Sequence, residues 1–311
     1  MRSLSSKLLV LLLAGIPLSA QLETPTRFSM KSALQDTFLS EGLLSNIVAE
    51  IRLMGDSLTW FGTGQGLALH DGHRVYAYQT SADSLDDGQY TNLVPQGGIP
   101  AIAVMGDTLA VSYSGDNGTI QVGYGLTLTY AAQDTAGILW TYLKQPVDLD
   151  TDTLKPFGEG YYRNLPVTVP EANVTYDACL AGDFLWTASW AGGLRRYHLT
   201  KRAWENVPMP MDNQDSLSLC EGFDEINSEG KVILPGYYLN PRDPGDGGNH
   251  NHKAFSVIAY GDTVWAGTAN GINKGILIKE LIEVDPGVFE IYNCLEWEHF
   301  SYPDDGLSGN F

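Results

Sequence analysis

One local pattern recurs four times along this chain of 311 residues. In each case a Gly-Asp pair follows a short apolar run and precedes a second run rich in aliphatic and aromatic residues. Glycine adopts positive φ angles at low cost, and aspartate hydrogen-bonds nearby backbone, so each pair predicts a tight hairpin between two antiparallel strands. The four pairs are Gly55-Asp56, Gly106-Asp107, Gly182-Asp183 and Gly261-Asp262.

The residues after each hairpin extend the repeat. Trp60, Trp186 and Trp265 occupy the same place in three of the four units, and a second glycine turn follows. In the first unit Asp71-Gly72 adds another hairpin before a fourth strand over 73–78. Repeated units of this kind predict an all-β fold, a β-propeller of four-stranded antiparallel blades. We expect the three tryptophans to pack between neighbouring blades, because equivalent positions of a repeat share their environment.

The spacing of the repeat is uneven. The four Gly-Asp pairs lie 51, 76 and 79 residues apart, whereas a propeller repeat takes roughly 40–50 residues. The later units therefore carry insertions, and residues 148–166 and 209–253 have the Asp, Pro, Gly and Asn content of insertions. Such segments lie on the rims of a propeller, where ligands bind. Because no linker divides the chain, residues 21–311 are predicted to form one domain of propeller repeats.

Three elements of the repeat carry a family resemblance. Residues 41–48 read Glu-Gly-Leu-Leu-Ser-Asn-Ile-Val, residues 60–63 and 265–268 read Trp-x-Gly-Thr, and residues 193–197 read Gly-Leu-Arg-Arg-Tyr. Together they resemble the two-component-regulator propeller repeat of bacterial extracytoplasmic proteins, although the second unit has Val-Ser-Tyr at 111–113 instead of the tryptophan motif. The resemblance implies a β-propeller, and it implies little about activity because propellers host unrelated functions.

The C-terminal residues repeat the opening of the first unit. Residues 306–311 read Gly-Leu-Ser-Gly-Asn-Phe, which restates the Gly-Leu-Leu-Ser-Asn-Ile of residues 42–47. The first segment leads into a unit, so the second predicts a truncated propeller with four blades and the start of a fifth, incomplete and open. The alternative is a coincidental Gly-Leu-rich tail on a complete protein.

The N-terminal residues predict export. Arg2 and Lys7 precede an apolar stretch over 8–16 that is too short to span a bilayer, and a small residue, Ala20, marks the cleavage point. Residues 1–20 are therefore predicted to be a signal peptide, with an uncleaved anchor as the alternative. Export places the protein in an extracytoplasmic space, secreted or periplasmic. No later segment is apolar enough to predict a membrane span.

Charge and cysteine content limit the partners and the cross-links. The formal net charge is −19, so the chain repels phosphate backbones and nucleic acid is not an expected partner. Three cysteines, Cys179, Cys220 and Cys294, allow one disulfide within the chain. The sequence does not select the pair.

The strongest metal-binding pattern is an acidic segment in the first insertion. Asp148, Asp150, Asp152 and Glu159 have the oxygen-ligand spacing of a calcium loop. The sixth position holds Thr153 where such loops have glycine, and a solvated hairpin tip is the alternative interpretation. Calcium is thus the one cofactor that the sequence indicates, and these four residues are the predicted ligands.

A second metal hypothesis concerns two histidines in the second insertion. His250 and His252 would share one face if the segment were a strand, and Asp243 or Asp246 would have to complete the site. A solvent-facing polar loop is the alternative. Outside the repeat pattern, Trp190 and Trp204 could form an aromatic platform for a sugar or peptide, with packing as the alternative.

Motifs of enzymes are missing from the sequence. It contains no nucleophile elbow, zinc-protease motif, phosphate-binding loop or dinucleotide fingerprint, and no catalytic residue is predicted. The favoured function is therefore an exported, non-enzymatic binding or sensing module whose rim loops bind a glycan, peptide or protein ligand. One alternative is a propeller-type polysaccharide lyase or hydrolase, and another is the periplasmic sensor region of a two-component signalling protein.

Overall fold

The computed structural model describes residues 39–81, 84–116, 118–134, 138–146, 154–158, 160–164, 173–240 and 249–308. Strands make up nearly all of the regular structure in these ranges, so the prediction of an all-β protein is confirmed. None of the helical segments described there is long and apolar enough to cross a membrane. The predicted signal peptide, residues 1–20, lies outside the described ranges.

The first two repeat units form two five-stranded antiparallel sheets. Sheet 1 contains β1 (Leu39–Glu41), β2 (Val48–Met54), β3 (Leu58–Thr63), β4 (Gly66–His70) and β5 (Val75–Tyr78). A small parallel pair, β6 (Thr80–Ser81) and β8 (Val94–Pro95), follows it. Sheet 2 contains β7 (Tyr90–Thr91), β9 (Ile102–Met105), β10 (Thr108–Asp116), β11 (Gln121–Thr129) and β12 (Trp140–Leu143).

The last two repeat units form the other two repeat sheets. Sheet 3 contains β15 (Asp177–Ala181), β16 (Phe184–Ser189), β17 (Gly193–His198) and β18 (Ala203–Asn206). Sheet 4 contains β19 (Ser216–Ser218), β22 (Ala254–Tyr260), β23 (Thr263–Thr268), β24 (Gly271–Asp285) and β25 (Val288–Phe300). β24 and β25 run far beyond the other strands of sheet 4 and form a long two-stranded arm.

Each repeat sheet contains a four-stranded meander whose first hairpin is a Gly-Asp turn. In sheet 3 the turn joins Ala181 to Phe184, which are directly paired, and the φ angle of Gly182 is 55°. The equivalent Gly261 of sheet 4 has a φ angle of 60°. A side chain with a Cβ atom adopts this left-handed conformation at a cost, so glycine fixes the position of the turn. The predicted hairpins are confirmed.

Sheets 1, 2, 3 and 4 pack face to face in chain order. One hydrophobic core joins Trp60 of sheet 1 to Ile102 and Trp140 of sheet 2, and another joins sheets 2 and 3. A third core places Trp186 of sheet 3 against Val264 of sheet 4. The first strands also touch in order, β2 with β9, β9 with β15 and β15 with β22. Stacked meanders with adjacent first strands are what a propeller requires of its blades. The blade total, and the open fifth unit, stay predictions.

The two insertions form a sheet of their own, which the sequence did not predict. This insertion sheet contains β13 (Leu154–Phe157), β14 (Gly160–Asn164), β20 (Glu225–Ile226) and β21 (Val232–Leu239). β14 and β21 pair in parallel, although about 70 residues separate them along the chain. The described parts of segments 148–166 and 209–253 therefore contain paired strands where the sequence predicted loops, because each segment supplies strands that satisfy the other's backbone groups. Their position on a rim stays a prediction.

The three repeat tryptophans do not share one environment. Trp60 and Trp186 are fully buried between sheets, as predicted. Trp265 of sheet 4 is exposed and stacks on Phe300, with ring centroids 6.3 Å apart. The prediction for Trp265 was wrong because no described sheet covers this face of sheet 4.

A disulfide joins Cys220 to Cys294 and leaves Cys179 as a free thiol. It ties the segment after β19 to β25, at the base of the arm. Disulfides persist in oxidising compartments, so this bond is consistent with an extracytoplasmic protein.

Candidate ligand-binding groove

An open groove of about 370 Å³ lies between sheets 2 and 3. Its floor is apolar and buried, formed by Leu128, Leu143 and the ring of Tyr197. Its rim carries the exposed side chains of Tyr90, Tyr130, Leu139, Asp87 and Arg202. We call this feature the tyrosine groove.

The outermost strand of sheet 2 positions one wall of the tyrosine groove. Tyr90 lies on β7 and pairs with Thr141 of β12. The turn before β7 is anchored to the same sheet, since the Gly88 amide donates to the Tyr142 carbonyl at 2.8 Å and the Lys144 amide donates to Asp87 Oδ1 at 2.7 Å. Tyr90 and the Asp87 carboxylate are therefore fixed at the rim by backbone hydrogen bonds.

The opposite wall comes from the hairpin between β17 and β18 of sheet 3. Arg202 has a φ angle of 54°, and its amide donates to the His198 carbonyl at 2.8 Å. Tyr197 lies on β17 and packs against Trp204 of β18, with ring centroids 5.2 Å apart. A tight turn thus holds the Arg202 guanidinium at the rim, while Trp204 supports the floor from behind.

Burial raises the pKa of two phenols of the groove, those of Tyr130 and Tyr197. Burial raises the pKa of Tyr130 above its usual value of 10.0, and the nearby Arg202 charge opposes this rise only in part. Burial also raises the pKa of Tyr197, and Tyr130 and Asp87 add to that rise. The groove therefore offers neutral hydroxyl groups, aromatic faces and one charge of each sign, which suits binding of a polar ligand with apolar faces.

A second polar cluster lies where the first strands meet. Arg52 Nε is 3.0 Å from Glu50 Oε1, and Arg52 Nη2 is 3.6 Å from Asp177 Oδ1. Burial, the largest cause, raises the pKa of the Glu50 carboxyl. A raised carboxyl pKa is one mark of an enzyme site. In this cluster, however, both carboxylates contact the same guanidinium, and Asp177 also accepts a hydrogen bond from the Val257 amide at 2.9 Å. These contacts join neighbouring strands.

A smaller cavity of about 160 Å³ lies beside the arm. Its buried wall is Arg196, whose Nε donates to Glu205 Oε2 at 2.6 Å and whose guanidinium lies 4.7 Å from the ring centroid of Phe157 and 4.5 Å from that of Phe184. Lys201 and Glu290 form an ion pair across the opening. Opposite charges balance within this cavity, so it presents no net charge to a ligand.

The predicted calcium ligands, Asp148, Asp150, Asp152 and Glu159, lie outside the described residues, and calcium binding stays a prediction. Within the described residues, no group of three or more His, Cys, Asp or Glu side chains is placed to hold a metal ion.

The histidine hypothesis assumed the wrong local structure. His250 and His252 lie in a short 3-10 helix, not a strand, because Asp212 accepts the amides of His250 and Asn251 at 2.9 and 2.7 Å and caps the turn. His250 Nδ1 is 3.3 Å from Asp212 Oδ2. Asp243 and Asp246, the proposed completing ligands, lie outside the described residues.

Sequence reasoning missed the tyrosine groove. Its residues come from four separate segments, and only Tyr197 belongs to an element of the repeat, the Gly-Leu-Arg-Arg-Tyr of residues 193–197. The available signal was that Tyr90 and Tyr130 adjoin strand ends, where a large aromatic side chain often has one face in solvent. Of the two tryptophans outside the repeat, Trp204 packs behind the groove floor, whereas Trp190 is exposed with Lys253 Nζ 5.9 Å from its ring centroid.

No model of a known protein family matches the chain, and a search of curated proteins finds no match. Solved structures with a similar arrangement include PorZ, a surface component of the type-IX secretion system of Porphyromonas gingivalis, with 12% identity, a TM-score of 0.30, and coverage of 75% of this chain and 25% of PorZ. Another is the extracellular domain assigned to a hybrid two-component system, BT4673, of B. thetaiotaomicron, with 16% identity, a TM-score of 0.25, and coverage of 88% and 36%.

A third similar structure is BamB from Moraxella catarrhalis, with 15% identity, a TM-score of 0.26, and coverage of 83% of this chain and 84% of BamB. The chain matches a quarter of the length of PorZ and little more than a third of the BT4673 domain. At these identities and TM-scores, the likenesses identify neither a family nor a ligand for this chain.

Proposed function

We propose that this protein is an extracytoplasmic, non-enzymatic binding module built from propeller blades, and that a glycan chain binds in the tyrosine groove. The tyrosine groove carries this proposal, since exposed rings flank an apolar floor and a carboxylate faces a guanidinium across it. The Cys220–Cys294 disulfide supports the extracytoplasmic location. A sensing role, as the propeller-repeat resemblance implies, would use the same groove to detect the glycan.

The chemistry of the groove favours a sugar over a charged ligand. Sugar rings have apolar faces that pack on aromatic rings, and their hydroxyl groups hydrogen-bond to carboxylate, guanidinium and phenol groups. Asp87 and Arg202 cancel in charge, so the groove does not attract a strongly ionic ligand. The net charge of −19 also disfavours polyanions at longer range.

The experiment is a screen on an array of neutral and acidic oligosaccharides, followed by calorimetric titration of the strongest ligand. We expect Tyr90→Ala and Tyr130→Ala each to weaken binding by at least about tenfold, because exposed aromatic residues dominate such contacts. Tyr238→Ala is the matched control, since Tyr238 is equally exposed but lies on β21 outside the groove. Ligand addition should also change the fluorescence of Trp204, which contacts Tyr197.

Two outcomes would contradict the proposal. Binding that Tyr238→Ala weakens as much as Tyr130→Ala would place the ligand elsewhere. Binding of peptides but not of any oligosaccharide would reject the glycan as the ligand. Turnover of a bound polysaccharide would favour the lyase or hydrolase alternative, and Glu50→Gln would then show whether the first-strand cluster is responsible.

A further inference from the structure

The smaller cavity beside the arm has charges of both signs at its opening, and we call it the arm cavity. Lys201 Nζ and Glu290 Oε2 are 3.7 Å apart there, and both side chains are more than half exposed. Exposed pairs of this kind contribute little stability, because water competes for both charges. Each of the two groups can therefore turn from its partner to a ligand at little cost.

A second pair of opposite charges lies in the wall of the arm cavity. Arg196 is buried, and its Nε donates to Glu205 Oε2 at 2.6 Å. The Glu205 side chain lines the cavity and is 30% exposed, so its carboxylate is held in place and remains accessible. The lining of the arm cavity thus includes two cations and two carboxylates.

A histidine adds a hydrogen-bond donor to the same wall. His198 Nδ1 accepts the amides of Thr200 and Lys201, both at 3.3 Å. Burial, the largest cause, lowers the pKa of His198 below 6.5, so the ring is neutral at neutral pH and its proton lies on Nε2. His198 therefore offers an N–H group that suits an anionic ligand atom.

The size and the apolar walls of the arm cavity limit what it can hold. Its volume is about 160 Å³, below the roughly 300–1,000 Å³ of sites for drug-sized ligands. Phe184, Ile291 and Tyr292 supply apolar surface. Because Lys201 and Glu290 are close together, the two charges of a matching ligand must also be close together. An α-amino acid has this arrangement, since one carbon carries its ammonium group, its carboxylate and its side chain.

We propose that the arm cavity binds a single α-amino acid with an apolar side chain. The carboxylate of the ligand contacts Lys201 and His198, its ammonium group contacts Glu290 and Glu205, and its side chain packs on Phe184. A ligand with one charge is repelled by the like charges of the lining, whereas a zwitterion pairs with both signs.

The arm cavity is separate from the tyrosine groove. Arg196 and Tyr197 are neighbours on β17, and successive side chains of a strand point to opposite faces of its sheet. Arg196 lines the arm cavity and Tyr197 lines the groove, so the two sites lie on opposite faces of sheet 3. The amino-acid site therefore does not rest on the proposed binding of a glycan.

The first test is calorimetric titration of the protein with L-leucine and two analogues. Isocaproate has the leucine skeleton without the ammonium group, and isoamylamine has it without the carboxylate. We expect L-leucine to bind and each analogue to bind at least about tenfold more weakly, because each leaves charges of the cavity without a partner.

Substitutions at the opening test the location of the site. Lys201→Met and Glu290→Gln should each weaken binding of L-leucine by at least about tenfold, since each removes a charge-assisted hydrogen bond to the ligand. Both side chains are exposed, so circular dichroism of each variant should match the parent. Lys274→Met and Glu298→Gln are the matched controls, because these residues form a surface ion pair at 2.8 Å outside the arm cavity, and they should leave binding unchanged.

Three results would overturn the proposal. The first is a failure of L-leucine to bind, and the second is binding of isocaproate or isoamylamine as tightly as L-leucine. The third is binding of L-leucine that survives both Lys201→Met and Glu290→Gln, which would place the amino acid on another surface. Tyr130→Ala should leave binding of L-leucine unchanged, and a loss in that variant would place the amino acid in the tyrosine groove instead.

Discussion

The buried ion pair between Arg196 and Glu205 gives a quantitative test of how sheet 3 is stabilised. The Arg196 side chain is 3% exposed and lies against the rings of Phe157, Phe184 and Trp186, while the Glu205 side chain is 30% exposed. Arg196 Nη1 is buried, and it has no hydrogen-bond partner within the described part of the chain. Glu205 therefore supplies most of the charge compensation for a cation that lies in an apolar environment.

This asymmetry predicts unequal costs for removing the two partners. Removing one member of a buried pair costs about 3–5 kcal/mol when the remaining charge is left in the interior. Glu205 is partly hydrated, so we expect Glu205→Gln to lower the free energy of unfolding by about 2–3 kcal/mol. Arg196→Met leaves a carboxylate that water reaches and an apolar side chain among aromatic rings, so its cost should be about 1 kcal/mol. The double variant should resemble Arg196→Met.

Urea unfolding followed by tryptophan fluorescence measures all three variants. The unfolding midpoint should fall most for Glu205→Gln, and Glu205→Gln should cost no additional stability in the Arg196→Met background. Equal losses for both single variants would refute the reasoning, because they would show that the buried guanidinium does not depend on Glu205. Glu298→Gln is the control, since Glu298 pairs with Lys274 in an exposed contact at 2.8 Å and such pairs contribute about 0–1 kcal/mol.

Three further predictions concern the disulfide and two titrating groups. The Cys220–Cys294 bond closes a loop with a sequence separation of 74, so the double serine variant should lose about 2–4 kcal/mol of unfolding free energy in urea, and an undiminished midpoint would contradict this. Burial lowers the pKa of His299 below 6.5, so the stability contributed by neutral His299 is present above pH 6.5 and is lost as the pH falls. In the His299→Gln variant, the decline of the melting temperature between pH 7 and pH 5 should therefore be flatter than in the parent. Burial raises the pKa of Glu50 above 4.5, so the stability contributed by the protonated Glu50 carboxyl is present at lower pH and is lost as the pH rises. The stability of Glu50→Gln relative to the parent should therefore improve from pH 4 to pH 7. An unchanged difference between the urea midpoints of the two proteins would contradict this.

Local sequence signals predicted the repeat sheets well. Each hairpin is formed by residues that are close in the sequence, a Gly-Asp turn and the apolar runs on either side of it. A hairpin of this kind can therefore be identified from about fifteen consecutive residues. The apolar run before Gly106-Asp107, for example, forms β9 at Ile102–Met105, where the predicted hairpin requires a strand. Turn chemistry fixes such elements because few residues adopt the required φ angles.

Pairing between distant segments was beyond the same reasoning. β14 pairs with β21 in parallel, with a shift in register along the pair. No turn connects the two strands, so nothing in the local sequence indicates that they pair. The insertions were identified by their length and composition, which indicate where the chain departs from the repeat. These signals do not indicate which strands the inserted residues pair with. The tyrosine groove has the same origin, because Tyr130 and Arg202 meet only after sheets 2 and 3 have stacked.

The exposed Trp265 shows how strongly burial in this fold depends on the neighbouring sheet. Trp186 and Trp265 have the same register, and only the presence of a following sheet determines which one is buried. The tyrosine groove, by contrast, lies between two sheets that already stack within this chain.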